Sequence, residues 1–143
     1  MFSRNTPSSI WQKRMLKLAK EIASWSKEKH KVGCVITDKN NIILGTGYNG
    51  PPRGIENETS TPVHAEMNAI MTMNRAAKAD SIYIWPYCPC QYCAGLIVQM
   101  GVKQVVFSTT EEVLSSWSTG QMKAIEMLTE AKIICEKFNP EEA

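Results

Sequence analysis

The spacing of apolar residues along the chain predicts helices and strands in alternation. Near the N-terminus, apolar side chains recur at intervals of three and four residues, at Trp11, Met15, Leu18, Ile22 and Trp25. This interval places them on one face of an amphipathic helix over about residues 9–28. We expect the tryptophan and methionine side chains of this stripe to lie in the core.

Two β-rich runs follow the first helix, and helices and strands then alternate to the end of the chain. The runs at 32–37 and 42–48 flank Asp38-Lys39-Asn40-Asn41, which is typical of a hairpin turn. The stretch Gly47–Gly54 contains too many turn residues for a regular element. A helix is predicted at 64–76, with Met67, Ile70, Met71 and Asn74 at helical spacing, and a strand at 81–85. A helix at 90–100, closed by Gly101, and a strand at 103–108 follow. The last predicted elements are a helix at 120–131, with Met122, Ile125 and Leu128 inward, and a short strand or arm at 132–138.

This order, αββαβαβα with a final strand, predicts an α/β fold. The sheet should be mixed and partly parallel, with helices on both faces. The 143 residues are enough for one domain with a core of its own, spanning 1–143. No run approaches the roughly 18 apolar residues of a membrane span, and no secretory signal is visible at the N-terminus. We therefore expect a cytoplasmic protein without membrane contact.

The charge of the chain makes nucleic acid an improbable partner. The net charge is only +2 at pH 7, although lysines concentrate in the first helix and just after it. A solvated helix face explains this bias in most proteins. The alternative is phosphate contact from Lys27, Lys29 or Lys31, where the helix ends.

The cysteines indicate a metal site and not a disulfide framework. There are five, an odd number, and three of them cluster at Cys88, Cys90 and Cys93. Such a cluster fits a reducing compartment and a thiolate-bound metal. Cys34 and Cys135 lie in apolar runs and are expected to be buried on strands.

Two short motifs carry the chemistry. His64-Ala65-Glu66 is an H-x-E motif, and Pro89 to Cys93 is a P-C-x-x-C motif. One imidazole and two thiolates make three zinc ligands, from His64, Cys90 and Cys93, and leave a fourth tetrahedral position open. His64 and Cys90 are each expected to begin a helix, where the helix dipole favours thiolates. This combination is the signature of zinc nucleobase deaminases.

Glu66 is the predicted proton carrier. It is not needed as a ligand, and it lies in the same helical turn as His64. Zinc lowers the pKa of a bound water toward neutrality. We expect Glu66 to accept that proton and to return protons to the ring nitrogen and the leaving ammonia, first as base and then as acid.

A closed structural zinc site is the alternative reading of the same motifs. Cys88 or His30 would then supply a fourth ligand. A purely structural site has no use for Glu66, which argues for the catalytic reading. Cys88 is expected to lie behind the ligands or pack under the loop, and His30 to be exposed without a catalytic role.

The motifs, taken with their surroundings, resemble the cytidine deaminase superfamily and within it the deoxycytidylate (dCMP) deaminases. The similarity runs from about residue 10 to 138. Five stretches carry it: Lys31–Ile36, Gly47–Gly54, Val63–Ile70, Pro89–Ala94 and Gly101–Val106. The resemblance implies a three-layer α/β/α fold with a central mixed five-stranded sheet.

The resemblance also implies roles for individual residues. Zinc would be held by His64, Cys90 and Cys93, with Glu66 as proton shuttle. Asn49 matches a residue that contacts the sugar, and Ala65 matches a backbone position that reads the base edge. The nucleotide or phosphate end would be lined by Tyr48, Gly50, Arg53 and Lys27.

The implied activity is hydrolysis of dCMP to dUMP and ammonia, which feeds thymidylate synthesis. Alternatives are a deaminase of dCTP, CMP or deoxycytidine, a nucleic-acid editor, and a zinc-binding module without turnover. The resemblance further implies a homo-oligomer, a dimer or hexamer, with dCTP and dTTP as effectors. A viral or phage origin would place the enzyme in the host cytoplasm.

The sequence differs from the dCMP deaminases that it resembles in three places, and each difference affects one of these expectations. Only nine residues separate Gly54 from His64, where many relatives have a longer insert, which bears on regulation. Trp25 stands where relatives often have arginine, which bears on phosphate recognition. The approach to the P-C-x-x-C motif, Trp85–Cys88, is one residue longer than usual.

Overall fold

The computed structural model describes residues 7–55, 61–108 and 119–138. Its elements follow the predicted order and include the final strand, which confirms that part of the prediction. They are α1 (Pro7–Ala23), β1 (Gly33–Thr37), β2 (Ile43–Tyr48), α2 (Ala65–Thr72), β3 (Ser81–Trp85), α3 (Gln91–Met100), β4 (Gln104–Ser108), α4 (Thr119–Glu130) and β5 (Ile134–Phe138).

The five strands form one mixed sheet in the order β2-β1-β3-β4-β5. Strand β1 runs antiparallel to both β2 and β3. Strands β3, β4 and β5 are parallel to one another, and α3 and α4 provide the crossovers that parallel neighbours require. The mixed five-stranded sheet is therefore confirmed.

Helices cover both faces of this sheet. Alternate residues of the central strands point to opposite sides, as the pleat requires. On one side, α1 packs through Met15, Leu16, Ala19 and Ile22 onto Val35, Tyr83 and Val106. On the other side, α2, α3 and α4 pack onto the sheet in a larger cluster. The helices contribute Ala65, Ala69, Ala94, Ile97, Ala124 and Leu128. The strands contribute Cys34, Ile36, Ile82, Ile84, Val105 and Phe107. The three-layer α/β/α architecture is confirmed.

Helix α1 ends at Ala23, before the predicted boundary at residue 28. Its last turn tightens, because the Trp25 and Ser26 amides donate to carbonyls three residues back, at 3.0 Å each. The Ser26 hydroxyl then donates to the Asn49 carbonyl at 2.7 Å and accepts from the Glu28 amide at 3.1 Å. Serine side chains that bond to nearby backbone compete with helix continuation. The prediction missed this long-range bond to Asn49.

The predicted apolar stripe of α1 was wrong at both ends. Trp25 is 56% exposed and Trp11 is 39% exposed, whereas Met15 and Ile22 are buried. The face that meets the sheet is instead centred on Met15, Leu16, Ala19, Ile22 and Ala23. The helix approaches β1 most closely at Gly33, where a Cβ atom would lie 2.6 Å from the Ala23 nitrogen and closer still to the Ala19 oxygen.

Helix α2 was also predicted too long. It ends at Thr72, not residue 76, and Met71 is 68% exposed. The Thr72 hydroxyl donates to the carbonyls of Thr46 and Ala69, at 3.0 and 3.2 Å, and so ties the end of α2 to the edge strand. In α4, Met122 was predicted to face inward but is exposed, whereas Leu128 faces the core as predicted, together with Ala124.

The close contact between α2 and β2 depends on Gly47. A Cβ atom at this position would lie 2.5 Å from the Ala69 nitrogen and 2.6 Å from the Ala65 oxygen. Both are backbone atoms of α2, so they cannot move without moving the helix. Gly47→Ala should therefore lower the free energy of unfolding by about 1–3 kcal/mol, the usual cost of overpacking, as measured by urea denaturation.

Gly95→Ala is the matched control for this substitution. A Cβ at Gly95 on α3 would meet nothing within 4 Å. Because alanine is the better helix former by up to about 1 kcal/mol, this variant should be as stable as the wild type or slightly more stable. Equal stability of both variants would contradict the packing described for β2 and α2.

Membrane insertion finds no support in the helices of the described residues. None of them combines the length and the apolar character that a bilayer span requires.

Candidate metal centre and active site

His64 stands at the N-cap of α2, immediately before Ala65. Its backbone is extended, with φ −66° and ψ 150°, and its side chain makes no capping hydrogen bond. Its carbonyl accepts the first helical bond, from the Asn68 amide at 3.0 Å. The preceding residue, Val63, pairs with Gly50 through two backbone hydrogen bonds of 2.7 and 3.2 Å. The imidazole is thus held at a helix start and left free to bind a ligand.

Cys90 and Cys93 lie on the first turn of α3. Cys90 is the N-cap, and its sulfur accepts a hydrogen bond from the Cys93 amide at 3.4 Å. The positive end of the helix dipole therefore faces the sulfur atoms, which favours thiolates. The predicted helix starts at His64 and Cys90 are confirmed to within one residue.

The two helix starts bring three ligand atoms together. The ligand atoms of His64, Cys90 and Cys93 all lie within 4.8 Å of one another. The Nδ1 atom of His64 is 3.3 Å from the Cys93 sulfur and 3.5 Å from the Cys90 sulfur. A tetrahedral zinc ion with bonds of about 2.1 Å to nitrogen and 2.3 Å to sulfur would set this separation at roughly 3.6 Å. The group therefore has the size that zinc requires.

Hydrogen bonds within the group show how its protons are distributed. The bond from Cys93 lowers the pKa of Cys90 to about 3 and raises the pKa of Cys93 far above its usual value. The bond to Cys90 also raises the pKa of His64. The thiolate form is thus favoured at Cys90, and Cys93 and His64 hold their protons more strongly. Because zinc binds thiolates and neutral imidazole, it would replace those protons.

Glu66 is a buried carboxyl group beside these ligands. It lies in the first turn of α2 and is only 5% exposed. Burial is the main reason that its pKa is raised to about 7, and its own backbone amide partly opposes this. A divalent cation nearby would lower this pKa again, because opposite charge favours the carboxylate. The protonation of Glu66 therefore depends on two opposing effects, burial and the charge of the metal.

These groups face one cavity of about 220 Å³. His64, Ala65, Glu66 and Cys90 form its metal side. The rest of the wall comes from segments far apart in the chain: His30, Val32, Asn49, Pro62, Ile84, Tyr87, Cys88 and Gln121. Sequence reasoning had not placed Tyr87 or Gln121 here. No motif marks them, and α4 carries Gln121 to the site only through its packing against α3.

A second, more open cavity of about 510 Å³ adjoins the first at Asn49, which lines both. It contains the predicted nucleotide-end residues Tyr48, Gly50, Arg53 and Lys27. The Trp25 and Tyr48 rings meet there edge to face, with centroids 6.2 Å apart. Of the three lysines considered for phosphate contact, Lys27 lines this second cavity, and Lys29 and Lys31 line neither of the two.

The side chain of Asn49 also holds the backbone beside the site. Its Oδ1 atom accepts a hydrogen bond from the Val32 amide at 2.9 Å, and its Nδ2 atom donates to the His30 carbonyl at 2.7 Å. A carboxamide has two donors and two acceptor lone pairs, so one of each remains for a ligand. The predicted sugar contact stays a prediction.

Cys88 lies outside the group of metal ligands. It is buried and lines the first cavity, but it is not among the ligand atoms that cluster within 4.8 Å. Burial raises its pKa to about 12, which keeps the thiol protonated. Cys34 is fully buried on β1 as predicted, whereas Cys135 on β5 is only half-buried.

Comparison with known proteins identifies the family. Residues 9–109 match the cytidine and deoxycytidylate deaminase zinc-binding region. An uncharacterised deaminase of Aliivibrio fischeri is 34% identical over 136 residues, which cover 87% of this chain and 91% of that protein. Deoxycytidylate deaminase of Mus musculus is 33% identical over an alignment of 147 positions, which covers 91% of this chain and 80% of that protein.

A solved structure shows the same relationship. The apo crystal structure of dCMP deaminase from the cyanophage S-TIM5 superposes with a TM-score of 0.71 at 25% identity, over 93% of this chain and 99% of that one. The chain therefore belongs to the cytidine and deoxycytidylate deaminase family of zinc-binding enzymes.

Proposed function

We propose that this enzyme hydrolyses dCMP to dUMP and ammonia and so supplies dUMP for thymidylate synthesis. The observation that carries the proposal is the cluster of His64, Cys90 and Cys93 beside a cavity that is lined by His64, Cys90 and the buried Glu66. The relatives named deoxycytidylate deaminase support the choice of substrate.

The ligands and Glu66 divide the chemistry between them. Zinc held by His64, Cys90 and Cys93 supplies an activated water when bound. Glu66 takes a proton from the nucleophile and delivers protons to the ring nitrogen and the departing ammonia. Its burial excludes bulk water from this exchange and raises its pKa above that of an exposed glutamate, which helps the carboxylate to accept the proton that it later returns.

The sizes of the two cavities support a free nucleotide as substrate. The first cavity, about 220 Å³, is smaller than the roughly 300–1,000 Å³ of typical ligand pockets, so it cannot enclose a whole nucleotide. The base would lie against Ala65 and Glu66, with the sugar near Asn49. The phosphate would extend toward Lys27 and Arg53 in the adjoining cavity.

Ammonia release from a panel of substrates tests the proposal. The panel contains dCMP, CMP, dCTP, deoxycytidine, cytidine and a single-stranded oligodeoxynucleotide. We expect the highest kcat/KM with dCMP. If deoxycytidine is turned over as fast as dCMP, the enzyme does not recognise the phosphate. If the oligonucleotide is the preferred substrate, the protein is a nucleic-acid-editing deaminase and not an enzyme of free nucleotides.

The same proposal covers assembly, regulation and location. We expect a dimer or hexamer, supported by the exposed apolar residues Tyr92 and Leu96 on α3 and checked by light scattering. We also expect dCTP and dTTP to act as effectors, near the Gly47–Gly54 loop. All five cysteines are free thiols, which suits a reducing compartment such as the cytoplasm.

A further inference from the structure

His30 lies on the wall of the reaction cavity, although it is 34 residues before the first metal ligand in the sequence. It shares this wall with His64, Glu66 and Asn49. Glu66 is almost fully buried and His30 is exposed. Glu66 therefore lies at the floor of the cavity and His30 at its rim.

The backbone of His30 is held rigidly, while its side chain is available. The Asn49 carboxamide bonds to the His30 carbonyl at 2.7 Å and to the Val32 amide at 2.9 Å. The Asn49 amide in turn donates to the Val32 carbonyl at 3.2 Å. In the part of the chain that the structure describes, His30 is hydrogen-bonded only through its carbonyl. Its imidazole is thus attached to a hydrogen-bonded backbone and has no hydrogen-bond partner among the described residues.

The charges around His30 favour an anion. The segment from Lys27 to Lys31 carries three lysines and one glutamate. The Lys31 ammonium donates back to the Ser26 carbonyl, and Lys27 lines the second cavity, not the first. Among the described residues of this segment, His30 is therefore the one basic side chain at the reaction cavity.

We propose that the His30 imidazole donates a hydrogen bond to the phosphate of the bound nucleotide and so makes the enzyme select nucleotides over nucleosides. The reacting ring must reach Glu66 at the floor, so the phosphate would lie near Asn49, where the two cavities meet, with His30 on one side and Lys27 and Arg53 on the other. This inference rests on the proposed function and adds a specificity-determining residue to it. An imidazole N–H can donate in both of its ordinary protonation states.

Steady-state kinetics of His30→Ala test the inference with dCMP and deoxycytidine as paired substrates. A hydrogen bond to a charged group is worth about a tenfold change or more in affinity. We expect KM for dCMP to rise about tenfold with kcat little changed, and kcat/KM for deoxycytidine to stay unchanged. His30→Gln, which retains an N–H donor, should recover part of the affinity for dCMP.

Lys39→Ala is the control for loss of a basic surface residue. Lys39 is exposed on the turn between β1 and β2 and lines neither cavity, so this variant should match the wild type on both substrates. Equal losses of His30→Ala on both substrates, or no loss on either, would overturn the inference. Thermal melting and zinc content of each variant separate these outcomes from misfolding.

Failure of the proposed function gives a different result. In that case the wild-type enzyme itself shows no preference for dCMP. The affinity for dCMP is then measured by titration calorimetry, and an unchanged affinity in His30→Ala would overturn the role of His30 as well.

Discussion

Glu66→Gln should lower kcat by on the order of 10²–10⁴-fold, the usual contribution of a positioned acid–base group. Glutamine has nearly the same shape but cannot accept and return a proton. Because Glu66 is not one of the three clustered ligands, the zinc content should stay at the wild-type level. Ammonia release and elemental analysis of the same sample check both expectations.

Glu130→Gln is the matched control for this loss of a carboxylate. Glu130 is an exposed residue at the end of α4, and its substitution should leave kcat unchanged. Wild-type activity in Glu66→Gln would refute the proton-transfer mechanism. Loss of zinc from Glu66→Gln would instead indicate that Glu66 is itself a zinc ligand, so the ligand set of His64, Cys90 and Cys93 would have to be revised.

Cys93→Ser should remove the bound zinc and, with it, the activity. Changes to residues that merely support a metal ligand cost about 10–100-fold in metal affinity, so loss of a ligand should cost more than that. The result is measured as zinc per chain after dialysis. A second readout is the melting temperature, which a chelator should lower in the wild type and leave unchanged in Cys93→Ser.

Cys135→Ser provides the comparison for the loss of a thiol. Cys135 is half-buried on β5 and lies outside the ligand group. This variant should keep its zinc, its activity and its response to chelator. Full zinc retention in Cys93→Ser would show that the ligands are wrongly assigned.

The local elements with strong sequence signals were predicted accurately. Strand β3 was predicted at 81–85 and lies at Ser81–Trp85. Helix α3 ends at Gly101, whose φ of 75° is the left-handed conformation that glycine adopts easily. In both cases the signal is local, because a short apolar strand or a glycine cap depends on neighbouring residues.

The failed predictions concern faces and ends that depend on distant contacts. Trp25 was assigned to the core by its spacing, yet the bond from Ser26 to Asn49 ends α1 before it. Met71 lies at helical spacing, yet it is exposed, because α2 meets β2 through Ala65 and Ala69, close to Gly47, which has no Cβ atom. Spacing alone cannot show which small residues allow two elements to approach closely.

By itself, the sequence determined the element order and predicted the metal-ligand set and the proton carrier. Zinc chemistry restricts ligand types and spacings so strongly that H-x-E with P-C-x-x-C can be interpreted without coordinates. Only the tertiary structure decided what surrounds that chemistry. It places His30, Asn49, Tyr87 and Gln121 at the cavity. These residues come from segments far apart in the chain, which the sheet and the helix starts bring together. No local sequence pattern therefore predicts their position.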